Sequence, residues 1–194
     1  MNSTSRLFGD ERGFTLIEMM LVVGIMGALA AMAMVIGPSF AKQARADSGT
    51  VQILELLRTA RETAIGQRRN IQLRFTGTNS MQTAREEIAV APAPPATTVL
   101  RSLVLENRVE FTLVGGLGDT PDGFGGLPLT ATAFGPSPTR TFTSEGTLVD
   151  ANGDVLNGTI FMSIPNVPNS ARAVTIFGTT GLMRTWRWNG AAWV

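Results

Sequence analysis

The 194-residue sequence contains no histidine, no cysteine and no tyrosine, and Lys42 is its single lysine. Without histidine and cysteine there can be no Ser-His-Asp triad, Cys-His nucleophile, zinc finger, histidine-ligated haem or disulfide framework. Charge is also sparse: charged residues make up 16%, the formal net charge is +1, and hydrophobic residues reach 44%. Such a chain is too apolar to be a disordered solvating segment, and its balance announces neither a polyanion-wrapping surface nor an acidic tail. The length suits one ordinary domain with an accessory segment. The acids Glu86-Glu87 and Glu106 with Glu110 lack the paired, desolvated setting that general acid–base work needs. Gly115-Gly116-Leu117-Gly118 lacks the Lys-Ser/Thr and helix of a phosphate loop. The reading is therefore non-enzymatic, with no catalytic residue, no metal and no cofactor.

The apolar residues are concentrated. Residues 14–36 contain one ionisable side chain, Glu18. As a helix this run reaches about 34 Å, against a hydrocarbon thickness of about 30 Å. A polar leader, residues 1–13, precedes it, and Gly37-Pro38, Lys42 and Arg45 follow. A cleavable secretory signal has some support in Ala28-Leu29-Ala30, but Glu18 inside the apolar run argues against it. A plain anchor leaves that acid unexplained, since an ionised side chain at a helix centre costs about 2.5–3.5 kcal/mol on insertion scales.

The residues around the acid read Arg12-Gly13-Phe14-Thr15-Leu16-Ile17-Glu18-Met19. This order closely resembles the processing signal of type IV prepilins and type II secretion pseudopilins. The resemblance implies that a membrane peptidase cuts after Gly13 and that Phe14 becomes the N-methylated first residue. It implies a Glu18 carboxylate paired with the Phe14 ammonium of a neighbouring subunit, so that each charge is compensated in a low-dielectric bundle. The alternative fate of Glu18 is to snorkel to the lipid headgroups. Gly24 and Ala28 form a small-x-x-x-small pair that lets helix backbones approach closely. Where many family members break the anchor with proline, this chain has Val35, and Pro38 comes three positions later.

Beyond Pro38 an amphipathic helix is predicted over residues 39–66. Its apolar stripe is read as Phe40, Ala44, Val51, Leu54, Leu57, Ala60, Ala64 and Ile65, with Arg58 and Glu62 on a solvated face. The cluster Arg68-Arg69-Asn70 ends it. Ile71, Leu73 and Phe75 alternate with polar residues as in a half-buried strand, and further strands are predicted over 87–90, 99–105, 109–114, 140–143, 159–164, 171–177 and 182–188. Asn152-Gly153 and Asn189-Gly190 suggest type I′ hairpin turns, and residues 178–181 a further reversal. Residues 91–96 and 115–138 read as loops.

The segments Phe142-Thr143-Ser144-Glu145-Gly146, Gly158-Thr159-Ile160-Phe161-Met162 and Val174-Thr175-Ile176-Phe177, followed by Arg184, resemble the carboxyl half of GspH/FimT-type minor pilins and pseudopilins. That resemblance implies an α+β fold: a long N-terminal helix, transmembrane above and amphipathic below, packed on a C-terminal antiparallel β-sheet domain. The parts are a leader over 1–13, a membrane helix over 14–36, its amphipathic continuation over 37–70 and a periplasmic domain over 71–194. Expected partners are the prepilin peptidase, inner-membrane lipid and other pilins or pseudopilins at the tip or initiating complex of a filament. One branch of the family binds DNA through Gly-Arg-x-Arg. Here Gly181-Leu182-Met183-Arg184 lacks the first arginine, which leaves Arg184, Trp186 and Arg187 as alternative nucleic-acid contacts. Asp150-Ala151-Asn152-Gly153-Asp154 reads as a solvated turn, because the bidentate acid of a calcium loop is absent at Phe161.

Overall fold

A computed structural model describes residues 13–89, 95–126, 130–135 and 139–194, with the side chains of 35–39 excepted. Nearly all of the leader and the centre of the Ala/Pro-rich loop lie outside the described residues. The helix α1, Leu16–Gln67, is followed by nine strands: β1 Ile71–Thr76, β2 Ser80–Glu86, β3 Thr97–Val104, β4 Thr132–Ala133, β5 Arg140–Phe142, β6 Leu148–Val149, β7 Gly158–Met162, β8 Arg172–Phe177 and β9 Leu182–Arg187. The chain divides into two compact units between Phe40 and Ala41. The helix does not end at Gly37-Pro38, and its run continues through both residues.

In the first unit the segment Leu16–Met34 has a mean hydropathy of 2.2 and no buried residue. It is apolar on every side, which is the pattern of a helix whose solvent is not water.

The second unit is a helix on two antiparallel sheets, ordered β3-β2-β1-β5-β6 and β4-β7-β8-β9. The buried face of the lower helix is Ala46, Gly49, Thr50, Ile53, Leu56, Leu57, Ala60 and Ala64. That face corrects the predicted stripe. Leu57, Ala60 and Ala64 belong to it, whereas Phe40, Ala44, Val51 and Ile65 are exposed. The true stripe keeps the three- and four-residue spacing but is built at its upper end from small residues, which lets Val109 and Leu105 come close at Gly49 and Met162 at Thr50. Ile53 and Leu57 meet Ile71, Leu73, Phe142, Ile160, Val174 and Ile176 in the main core.

The helix ends in a Schellman arrangement: the Arg69 N–H donates to the Ala64 carbonyl at 3.1 Å and the Arg68 N–H to the Ile65 carbonyl at 3.3 Å. Arg68 takes a φ of 51° there, a position usually given to glycine.

Strands β7 and β8 are buried on both faces rather than one. Ile160, Met162, Val174 and Ile176 face the main core, while Phe161, Ala171 and Ala173 join Leu117, Trp188 and Trp193 in a second cluster on the other side. The segment from Leu113 to Leu117 and the C-terminal residues therefore cover a sheet face that would otherwise be wet.

Two strand expectations fail. Residues 87–89 are not a strand, and Val90 lies outside the described residues; the pairing strand is β2, just before them. Its apolar residues are only Met81 and Ala84, three apart, which hides it from a period-two reading; the register shift opposite Thr83 and Ala84 is a bulge of β3, where Leu100 has no partner on β2. Residues 109–114 form only a bridge between Glu110 and Ser163, because Asn107 and Arg108 both adopt positive φ and turn the chain away from β3. Neither hairpin turn is a type I′ turn centred on its Asn-Gly pair. Asp150 closes on Asp154 and Asn189 on Ala192, and only Gly153 and Gly190 of each Asn-Gly pair have positive φ. The expected reversal after β8 is present, with the Gly181 N–H donating to the Phe177 carbonyl at 2.8 Å.

Gly178 joins the two sheets. Its carbonyl accepts the Leu148 N–H at 2.9 Å, its N–H donates to Asn157 Oδ1 at 2.8 Å, and a Cβ there would overlap the Leu156 carbonyl oxygen.

Candidate functional site

Two regions carry the residues singled out in the sequence, one at each end of the chain. At the N-terminal end, Gly13, Phe14 and Thr15 are exposed and outside the helix. The Thr15 hydroxyl accepts the Glu18 N–H at 3.3 Å, and the Thr15 carbonyl accepts the Met19 N–H at 3.2 Å, the first bond of the helical ladder. Thr15 is thus the N-cap and Glu18 the third helical residue, the Thr-x-x-Glu order of a capping box. This local role was legible in the sequence and was missed there. It places the carboxylate in the first turn, where the helix dipole favours negative charge.

Capping does not use up the acid. Among the described residues the Glu18 carboxylate has no ion pair and no hydrogen bond, and Phe14 is 78% exposed. Nor does the fold require glycine at 13: its φ lies outside the left-handed region, and a Cβ built there meets nothing within 4 Å. Gly24 and Gly27 are equally open. The glycines at 13, 24 and 27 leave room around the backbone that the chain itself does not fill.

At the other end, strand alternation divides the expected nucleic-acid contacts between two faces. Arg184 and Trp186 share one face of β9, and Arg187 points to the other, where its Nη2 donates to Gln43 Oε1 at 2.5 Å. Trp186 is half-buried, with its indole N–H donating to the Thr175 hydroxyl at 3.1 Å. Trp188 is buried and packs edge-on against Trp193 at 5.2 Å. The tryptophans serve the second core cluster rather than forming an open stacking platform. Arg184 alone of this group is exposed and without a partner among the described residues.

The most deeply buried charge was not anticipated. Arg172, 2% exposed, donates from Nε to Asp47 Oδ1 at 2.5 Å and from Nη1 to the carbonyls of Ala171 and Asn169. Helix and strand meet through this pair across 125 positions of sequence. The Asp150 carboxylate is spent on its own turn, with Oδ1 accepting the N–H groups of Asn152 at 2.8 Å and Asp154 at 3.0 Å. Among the described residues no group of three or more acids is placed to hold a metal.

A family model for the prokaryotic N-terminal methylation motif matches residues 9–34, which include the Gly13-Phe14 junction, Glu18 and most of the apolar run. This motif is typical of type IV pilins and pseudopilins. No curated protein and no solved structure matches the chain.

Proposed function

We propose that the chain is a minor pilin or pseudopilin, of GspH/FimT type, that enters the tip or initiating complex of a type IV pilus or type II secretion pseudopilus. It is a structural subunit rather than an enzyme. The leader is removed after Gly13, Phe14 carries the methylated ammonium, and Leu16–Met34 anchors the chain as a single pass in the inner membrane, with the β-sheet unit on the periplasmic side. Assembly pairs Glu18 with the Phe14 ammonium of an adjacent subunit.

The observation that carries this reading is the state of Glu18: a carboxylate without a partner among the described residues, at the start of an unburied apolar helix and beside an exposed junction carrying the methylation motif. In lipid such a charge is costly unless a cation meets it, and a neighbour's N-terminus supplies one. Gly24, Gly27 and Ala28 give the adjacent helix room to approach.

The test is Gly13→Asp in the natural host. Since a side chain at 13 meets nothing in the fold, the variant should accumulate folded but uncleaved in the membrane and be absent from sheared filaments. Glu18→Ala should be cleaved normally and enter filaments at least about tenfold less, because one partner of a desolvated charge pair is gone. Recovery of uncleaved Gly13→Asp protein in filaments at wild-type level would refute the proposal.

A further inference from the structure

The sequence holds three Asn-Gly pairs, at 152–153, 157–158 and 189–190. Such a pair is chemically labile, because glycine leaves the following backbone nitrogen unhindered and free to turn toward the asparagine side chain. All three asparagines are exposed, so neither sequence nor access to water ranks them. The fold separates them by what each side-chain amide and each glycine nitrogen is held to.

Asn157 Oδ1 accepts the Gly178 N–H at 2.8 Å, and Gly158 opens the buried strand β7 against the Phe134 ring, where even a Cβ would overlap. Asn189 Oδ1 accepts two N–H groups, those of Ala191 and Ala192, each at 2.9 Å. In both cases the amide must leave its partners before its carbon can move. Asn152 is held far less. Its Oδ1 accepts no hydrogen bond among the described residues, and its Nδ2 reaches Asp150 Oδ2 only at 3.4 Å. The Gly153 N–H donates to the Asp150 carbonyl at 3.3 Å, also long for such a bond. Gly153 is exposed at a φ of 89°, and a Cβ built there meets nothing within 4 Å. Asp150 Oδ1 accepts the N–H groups of Asn152 and Asp154, which fastens the main chain of the turn and leaves the Asn152 side chain loose.

We infer that Asn152 is a site of spontaneous covalent modification, at which the asparagine becomes aspartate or isoaspartate. The Gly153 nitrogen attacks Asn152 Cγ, the Cγ–Nδ2 bond breaks, and ammonia leaves with the proton that the glycine nitrogen gives up. Solvent water then opens the cyclic imide. Opening at Cγ leaves aspartate, whereas opening at the main-chain carbonyl leaves isoaspartate, whose chain runs on through Cγ. Nothing is oxidised or reduced, and water is the one co-reactant. Either product sets a new carboxylate between Asp150 and Asp154, and isoaspartate adds a methylene to the main chain inside the bond by which the Asp150 N–H closes on the Asp154 carbonyl. The turn after β6 is thus altered with age and the asparagine is not regenerated, while Asn157 and Asn189 persist. This assignment is independent of the filament reading above.

The test is to age the full chain in detergent, in mildly alkaline buffer with and without urea, and to map its tryptic peptides by mass spectrometry. Cleavage after Arg140, Arg172 and Arg187 places Asn152 and Asn157 in peptide 141–172 and Asn189 in peptide 188–194. Fragment spectra that distinguish aspartate from isoaspartate then locate each change. In the folded chain Asn152 should convert at least about tenfold faster than Asn157 or Asn189, since those two react only after local opening. In urea the three rates should come within about threefold, because the pairs then differ chiefly in the preceding residue, Ala151, Leu156 or Trp188. Asn152→Gln should remove the fast conversion and leave the other two rates unchanged. The inference is overturned if the folded-state ratio falls below about tenfold, if the ranking persists undiminished in urea, or if the fast conversion survives Asn152→Gln.

Discussion

The two ends of α1 treat the same kind of residue in opposite ways. In Leu16–Met34 no apolar side chain is buried, and Leu16 and Met34 are each 78% exposed; in the lower part Ile53 and Leu57 are fully covered. Helical geometry does not separate the two segments. The difference is what each must bury against: the lower segment has a stripe one face wide and finds two sheets, whereas the upper one is apolar all round and leaves its faces to lipid and to other helices. The glycines follow suit. Those in the anchor are open, while Gly49 faces Val109 at 3.1 Å and Gly178 sits against the backbone of Leu156.

The sharpest break of this contrast uses alanine at two of those positions. Gly178→Ala forces a Cβ into the Leu156 carbonyl and disrupts the bond between Gly178 and Leu148, so the β-sheet unit should lose about 3 kcal/mol or more. Gly24→Ala should leave unfolding of that unit unchanged within about 0.5 kcal/mol. All three tryptophans, Trp186, Trp188 and Trp193, lie in the globular unit, so urea unfolding in detergent followed by fluorescence reports on it alone. Equal losses for both substitutions would erase the distinction.

A smaller effect is expected at the join between helix and sheet. Asp47→Ala leaves the Arg172 guanidinium buried without its acid, which costs about 3–5 kcal/mol for a fully desolvated pair. Asp47 is itself half exposed, so about 2 kcal/mol is expected in the same assay. Replacing both, with Arg172→Met beside Asp47→Ala, should recover part of the loss, since no buried charge is then left unpaired.

These two joins also mark the limit of what the sequence discloses. The anchor was plain because a membrane demands contiguous apolar residues, and the processing motif because its order is strict. Strands β1, β3, β5, β7, β8 and β9 were located by alternation or by short apolar runs, with ends shifted by a residue or two. The lower helix is found but rotated: Phe40, Val51 and Ile65 outweigh Ala46, Gly49 and Thr50 on any hydrophobic reading, yet the small residues are the ones that are buried. The strand β2 is hidden because Met81 and Ala84 are its only apolar residues, and residues 109–114 mimic a strand because Val109 and Phe111 are buried without a ladder. The Asp47–Arg172 pair depends on residues far apart in the chain, and no local pattern announces it.

The smallest effect runs in the stabilising direction, at the lower end of α1. Arg68 occupies the left-handed position that closes the Schellman arrangement, with φ at 51°, and its Cβ crowds the backbone there, a cost of about 1 kcal/mol for a residue other than glycine. Its side chain is exposed and enters no hydrogen bond or ion pair among the described residues, so little is lost by removing it. Glycine brings a freer unfolded chain, which offsets part of the gain. Arg68→Gly should therefore raise the stability of the globular unit by about 0.5 kcal/mol and leave the anchor unaffected. A destabilisation of similar size would mean that the arginine holds the helix end by contacts beyond its backbone.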